Sequence, residues 1–232
     1  MIRTVKMYGT LQYVEWMPEK WNGQVVVFFH GLGERGTDIS KVEKIGLPQR
    51  LVAGLKLNHI VIYSQLPTTI GSWGKNQINA MVNLAKTYNA SAYHVTGISL
   101  GGMGTFSALK YFPGFFKTAG ICCGKTSTDN LEALLPTKIK AWHGIADPTI
   151  GISSIRSVIK GLNALGHDAT LVEYNDDHAI WDQVYHPTSP DGYVAWLNGQ
   201  EAPDAVTKQE VFEGKLRIYT ISGKIYIIPV SL

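Results

Sequence analysis

The chain is poor in cysteine, in charge and in long apolar runs. Of its 232 residues only two are cysteines, Cys122 and Cys123, and they are neighbours. A disulfide framework or a cysteine-based zinc site needs more thiols, spaced apart, so both are excluded. Charged residues make up 17% of the sequence, against about 25% in an ordinary globular chain. With 45% hydrophobic residues there is ample material for a core, and the signature of disorder, low hydrophobicity with high net charge, is missing. No apolar run approaches the roughly 18 residues of a membrane-spanning helix, and residues 1–10 carry no apolar leader segment. The expectation is a cytoplasmic protein with no membrane partner.

Carboxylates are missing from a long stretch. Between Glu43 and Asp129 there is no Asp or Glu, while eight Lys or Arg occur there. The net charge of +3 therefore hides a cationic middle in an otherwise acidic chain. These cations are singly spaced, without a clustered patch or interleaved aromatics, so no nucleic-acid partner is expected. They read as charges that mix with acidic segments in space.

What is present is alternation. Near-continuous apolar runs, suited to strands buried on both faces, occur at 24–29, 59–63, 92–98, 118–123, 139–143 and 170–174. Helical patterns separate them, with Ile78, Met81, Val82 and Leu84 on one face and Ile155, Val158, Ile159 and Leu162 on another. Strands alternating with helices predict an α/β fold: a mostly parallel central sheet covered by helices on both faces. Residues 4–17 alternate as an antiparallel edge with Gly9 at the turn. Residues 216–221 and 224–230 read as a C-terminal β-hairpin turning at Ser222-Gly223, with Pro229 suited to an edge position. The expected organisation is a catalytic domain over 1–200 and a linker with hairpin appendage over 201–232. The hairpin is a candidate surface for homo-oligomer contacts.

The run at 92–98 leads into Gly97-Ile98-Ser99-Leu100-Gly101 and then a helix-like segment from Thr105 to Tyr111. A G-x-S-x-G between strand and helix exposes a serine hydroxyl on a sharp turn. It also sets the Leu100 amide at a helix N-terminus, where an oxyanion would be stabilised. Serine needs a base, and the base needs an orienting acid. With no carboxylate between residues 44 and 128, Asp147 is the candidate, just past the strand ending at His143. His178 follows the next strand in the same way, and both lie at the carboxyl ends of parallel strands, where such sheets assemble sites. Asp176 and Asp177 are too close in sequence to His178 to orient it and read as turn residues. His59 and His94 fall within apolar strands, His167 in a helix-ending turn and His186 before a proline.

Gly31-Leu32-Gly33-Glu34-Arg35-Gly36 spells G-x-G-x-x-G, the phosphate loop of dinucleotide-binding folds. That reading needs an acidic residue about 20 positions on. The next strand instead ends Tyr63-Ser64-Gln65, within the carboxylate-free stretch. No cofactor is expected. The loop is better read as presenting the Leu32 amide as a second oxyanion donor.

Together, His30-Gly31-Leu32-Gly33-Glu34-Arg35-Gly36, Gly97 to Gly102, His143-Gly144 with Asp147, and His178 with Trp181 resemble the α/β-hydrolase superfamily. The resemblance is to its compact serine esterases, related to feruloyl and acetyl-xylan esterases and to the phospholipase/carboxylesterase group. It spans about residues 20–200. It implies an α/β-hydrolase fold, a Ser99–His178–Asp147 triad, and oxyanion amides from Leu32 and Leu100. It needs neither metal nor cofactor. Leu32 stands where such families carry Ala or Gly. By the same resemblance, Trp73 is a candidate pocket wall. Trp73 and Trp181 are candidate substrate-binding aromatics that stack on a sugar or aryl ring, or else packing residues at the sheet's end. The short segment 124–138 leaves little length for a lid, which suits short acyl groups or acyl groups borne on a polysaccharide. Thioesterase or peptidase action on the same triad, and a catalytically silent binding module, are the alternatives.

Overall fold

The computed structural model describes residues 1–199 and the backbone of three further strands between 206 and 229. The alternating N-terminal segment forms a hairpin of β1 (Ile2–Tyr8) and β2 (Leu11–Met17), turning at Gly9 with φ +57°. There follow β3 (Gln24–Phe29), a 3-10 turn (Ile39–Lys44), α1 (Gly46–Val52), β4 (Ile60–Ser64), α2 (Lys75–Lys86) and β5 (Ala92–Ile98). Next come α3 (Leu100–Tyr111), β6 (Thr118–Cys122), a second 3-10 turn (Leu131–Leu134), β7 (Lys138–Gly144), α4 (Ser153–Ala164) and β8 (Thr170–Tyr174). Two short helices, α5 (Trp181–Val184) and α6 (Tyr193–Leu197), complete this part of the chain.

Eight strands pair in the order β1-β2-β4-β3-β5-β6-β7-β8. From β3 to β8 neighbours run parallel, and β2 is antiparallel to both of its neighbours. The apolar runs are continuous because alternate residues serve two cores. Val25, Val27 and Phe29 of β3 pack with Ile78, Met81 and Val82 of α2 and with Ile155, Val158 and Leu162 of α4. Val26 and Phe28 point the other way, into a cluster with Leu47 and Leu51 of α1, Val184 of α5 and Trp196 of α6. Each fully buried side chain of this kind contributes about 1.5–3 kcal/mol. The cationic middle does mix with acidic groups: Arg50 bonds the Asp182 carboxylate at 2.9 Å.

Helix α3 starts at Leu100, earlier than the Thr105 expected from the pattern. Gly101, Gly102 and Gly104 are helical despite a propensity cost of about 1 kcal/mol each, because this turn packs too closely for side chains against the ends of β3 and β6 and against the Trp73 ring. A Cβ on Gly101 would lie 1.9 Å from the Phe29 carbonyl oxygen.

The C-terminal region is larger than the expected hairpin. Strands β9 (Val206–Phe212), β10 (Lys215–Thr220) and β11 (Ile225–Pro229) form a separate antiparallel sheet in the order β11-β10-β9. Pro229 does lie on an edge strand. The Ser222-Gly223 turn and the expected division at 200/201 lie outside the described residues.

Candidate active site

Because β3, β5, β6, β7 and β8 all run the same way, their carboxyl ends share one rim, and each delivers a polar residue to it. From β5 comes Ser99, with φ 53° and ψ −113°. An L-residue held in so sparsely populated a conformation costs about 1–3 kcal/mol and persists only where the surroundings over-determine it. Here the Ser99 N–H donates to the Cys122 carbonyl at 2.8 Å, and its own carbonyl accepts the Met103 N–H at 3.0 Å. Ser99 is the N-cap of α3 but makes no side-chain capping bond. Its hydroxyl is bonded to a base instead.

That base is His178. Its Nε2 lies 2.8 Å from Ser99 Oγ, and its Nδ1 lies 2.6 Å from Asp147 Oδ2. The histidine rides on a turn shaped by its acidic neighbours: Asp176 Oδ1 accepts the Asp177 N–H and Asp177 Oδ1 accepts the Ala179 N–H. The turn presses on the end of β7, where a Cβ on Gly144 would lie 1.9 Å from the Asp177 carbonyl oxygen. Asp147 is buried, and its Oδ1 accepts the Thr149 and Ile150 N–H groups at 2.8 and 2.9 Å.

The sequence reading did not assign His143 a role, yet it belongs to this network. Its Nε2 donates to the Ile150 carbonyl at 2.6 Å and stands 3.1 Å from Asp147 Oδ2, with both side chains fully buried. Since a carbonyl can only accept, that nitrogen carries a hydrogen, and the Asp147 carboxylate faces N–H donors on both oxygens. Burial opposes ionisation of Asp147, but His178 and the Ile150 and Thr149 amides more than offset it, holding the carboxyl below its ordinary range. In turn the Cys123 and Asp147 side chains raise His178, against the effect of its burial, to about 9.

The opposite flank is the loop after β3. Leu32 sits on it with an exposed side chain, and Leu100, the first residue of α3, has an N–H with no intrahelical acceptor. The loop is braced heavily. Arg35 donates to the Leu32, Thr68 and Ile70 carbonyls at 3.0, 3.2 and 3.1 Å. Gln65 donates to the Glu34 carbonyl at 2.7 Å. Buried His30 accepts the Leu66 N–H on Nε2 at 2.9 Å and donates from Nδ1 to the Gly31 carbonyl at 2.6 Å. Burial pushes this imidazole down to about 4, so it is neutral at pH 7.

The two tryptophans part company. Trp73 is only 3% exposed and donates its indole N–H to the His30 carbonyl at 3.0 Å. It braces the glycine loop from behind with its ring packed against Phe29 and His30, the packing alternative of the two roles expected for it. Trp181 is half-buried, with its ring edge-on to His178 at 5.7 Å between centroids. His30, Arg35, Gln65 and His143 were not assigned functions from sequence. The signal that finds His30 and His143 is a histidine at the carboxyl end of an apolar parallel strand, directly after β3 and near the end of β7.

No family model matches the chain, and no curated protein does. Solved structures do. A thermostable esterase superposes with a TM-score of 0.63 at 22% identity, covering 87% of this chain and 60% of its own. The parallel strand order, the strained turn at Ser99 and this superposition point to one architecture. The chain has the α/β-hydrolase fold. An acetyl xylan esterase from Aspergillus awamori gives a TM-score of 0.57 at 14% identity, covering 100% of this chain and 93% of that one. An acylaminoacyl peptidase from Pyrococcus horikoshii gives 0.55 at 15% identity, over 77% of this chain and 37% of that one. This chain thus spans less than two thirds of the length of two of the three. At such identities the likeness carries the α/β-hydrolase architecture, and one architecture serves many activities.

Proposed function

We propose that the protein is a serine hydrolase of carboxylic esters. The observation that carries this reading is the strained Ser99, whose uncapped hydroxyl meets a histidine that is itself held by a buried carboxylate. Ser99 Oγ attacks the ester carbonyl as His178 Nε2 takes its proton. Asp147 keeps the remaining imidazole proton on Nδ1 and stabilises the cation that forms. The N–H groups of Leu100 and Leu32 receive the oxyanion. His178 then protonates the departing alcohol, and water, deprotonated by the same imidazole, releases the acyl group from Ser99.

Short acyl esters, free or borne on carbohydrate, are the proposed substrates. The half-exposed Ser99, the short 124–138 connection and the half-buried Trp181 beside the base support this. A second reading, peptide or thioester cleavage by the same residues, draws on the acylaminoacyl peptidase neighbour. A panel of acetylated sugars, acyl thioesters and peptides separates them by kcat/KM. For the chemistry itself, Ser99→Ala is expected to lower p-nitrophenyl acetate turnover by about 10⁴-fold or more with an unchanged circular dichroism spectrum. Unchanged turnover, or failure of a fluorophosphonate to label Ser99 in the wild type, overturns the proposal in favour of a silent binding module.

A further inference from the structure

The carboxyl end of β6 brings a further side chain to the acid–base pair. Cys123 has a φ of +49°, and its N–H is held by the Trp142 carbonyl at 2.9 Å. Its thiol donates to the His178 carbonyl oxygen at 3.2 Å. One donor atom each from Cys123, Asp147 and His178 lie within 4.8 Å of one another. The hydrolytic steps leave this thiol without a part. We propose that Cys123, Asp147 and His178 bind a thiophilic divalent metal ion such as Zn²⁺ or Cd²⁺, and that the bound ion silences Ser99. The silencing rests on the reading of His178 as the serine's base; the binding does not.

Thiolate, imidazole and carboxylate are the three ligand types zinc takes from proteins, with water free to complete a tetrahedron. Bond lengths of about 2.0–2.3 Å put the ligand atoms of such an ion roughly 3.3–3.7 Å apart. The Nδ1–Oδ2 pair, 2.6 Å apart, must open by about 1 Å, and the wider separations, none beyond 4.8 Å, close by about as much. His178 sits on a loop between exposed Asp177 and Ala179, so its ring is the ligand freest to adjust. The outer support of the carboxylate is already in place: Thr149 and Ile150 hold one oxygen, and His143 faces the other. Such partners fix ligand orientation.

The proton count explains the silencing. In its base form the imidazole keeps its proton on Nδ1, given to Asp147, and offers the Nε2 lone pair to Ser99. A metal ion takes the Nδ1 lone pair, so that proton moves to Nε2. The thiol gives its own proton to solvent as the sulfur–metal bond forms. The protons displaced from the sulfur and from the ring go to solvent, and no electrons are transferred. The N–H on Nε2 then points at Ser99 Oγ and can no longer accept the serine's proton.

The test uses Co²⁺ as a probe, titrated into wild-type and Ser99→Ala protein. The readouts are the near-ultraviolet thiolate-to-cobalt charge-transfer band and proton release in weak buffer. Expected are a band saturating at one ion per chain, proton release that saturates with it, and the same result in Ser99→Ala. The band is lost in Cys123→Ala and in the near-isosteric Cys123→Ser, each checked for fold by circular dichroism. Wild-type ester hydrolysis falls in step with the band and returns with EDTA. No band at millimolar Co²⁺, or a band that survives in both Cys123 variants, overturns the site. A band without loss of hydrolysis overturns the silencing alone. A band in a protein that never hydrolyses esters leaves the metal site standing and removes the functional reading instead.

Discussion

Ser99 is flanked by two histidines at the same rim, one at the end of β3 and one after β8, and the same side chain is put to opposite uses. His30 is fully buried and its ring nitrogens meet only backbone: one accepts an amide and the other donates to a carbonyl. Nothing there rewards a second proton, and burial pushes its pKa down to about 4. His178 is partly exposed and meets a thiol and a carboxylate, which raise it to about 9. A neutral imidazole between peptide groups is a rigid brace for the Leu32 loop. An imidazole beside a carboxylate is a proton carrier. The partners, and not the residue type, decide which.

Replacing the carrier is expected to have the largest effect. His178→Gln keeps a hydrogen-bonding side chain but no base, and kcat for p-nitrophenyl acetate should fall by about 10⁴–10⁶-fold. Asp147→Asn follows at about 10³–10⁴-fold, because the amide can stabilise the wrong tautomer and cannot stabilise the cation. The comparison sharpens with pH. The base form of His178 is the neutral one, so kcat/KM should rise with pH through the elevated pKa, gaining roughly ten- to a hundredfold between pH 7 and 10. No inflection from His30 is expected above pH 5, since it is neutral throughout. An inflection near the ordinary imidazole value of about 6.5 would show that Cys123 and Asp147 do not control His178.

Breaking the brace should give smaller kinetic effects and a clear stability effect. His30→Ala strands the Leu66 N–H in the interior, costing about 1–3 kcal/mol, and lets the loop shift, which a misplacement of about 1 Å turns into up to 10²-fold in rate. The thermal midpoint and kcat/KM should fall together. Trp73→Phe removes only the N–H donated to the His30 carbonyl, so a loss of about 0.5–1.5 kcal/mol in stability and a change in rate within a few-fold are expected. A Trp73→Phe variant with intact stability but altered preference among aryl esters would reinstate the ring as a substrate contact.

Much of this was legible in one dimension, for identifiable reasons. Strands β3, β5 and β8 occur where apolar runs predict them: β3 serves two cores, and the polar positions of β5 (His94, Thr96) and of the edge strand β8 (Glu173) are satisfied by hydrogen bonds. Ser99, Asp147 and His178 were legible because each lies within four residues of the carboxyl end of a strand, and the stretch with no carboxylate between 44 and 128 narrowed the choice of acid. The start of α3 was not legible, since three glycines argue against helix until the contact with the Phe29 carbonyl is seen. Neither was the burial of Trp73: an indole near a site looks alike whether it lines the cleft or props the loop from behind.

From the sequence alone came the alternation of strand and helix, the elbow around Ser99 and the order of the three polar residues, because local pattern and chain order are properties of neighbours. Only the folded arrangement decided that His30 is buried among backbone groups, which tryptophan is hidden, and that Cys123 and His143 stand beside His178 and Asp147. Those depend on groups far apart in the chain meeting at the end of a parallel sheet, where burial and charge act through space.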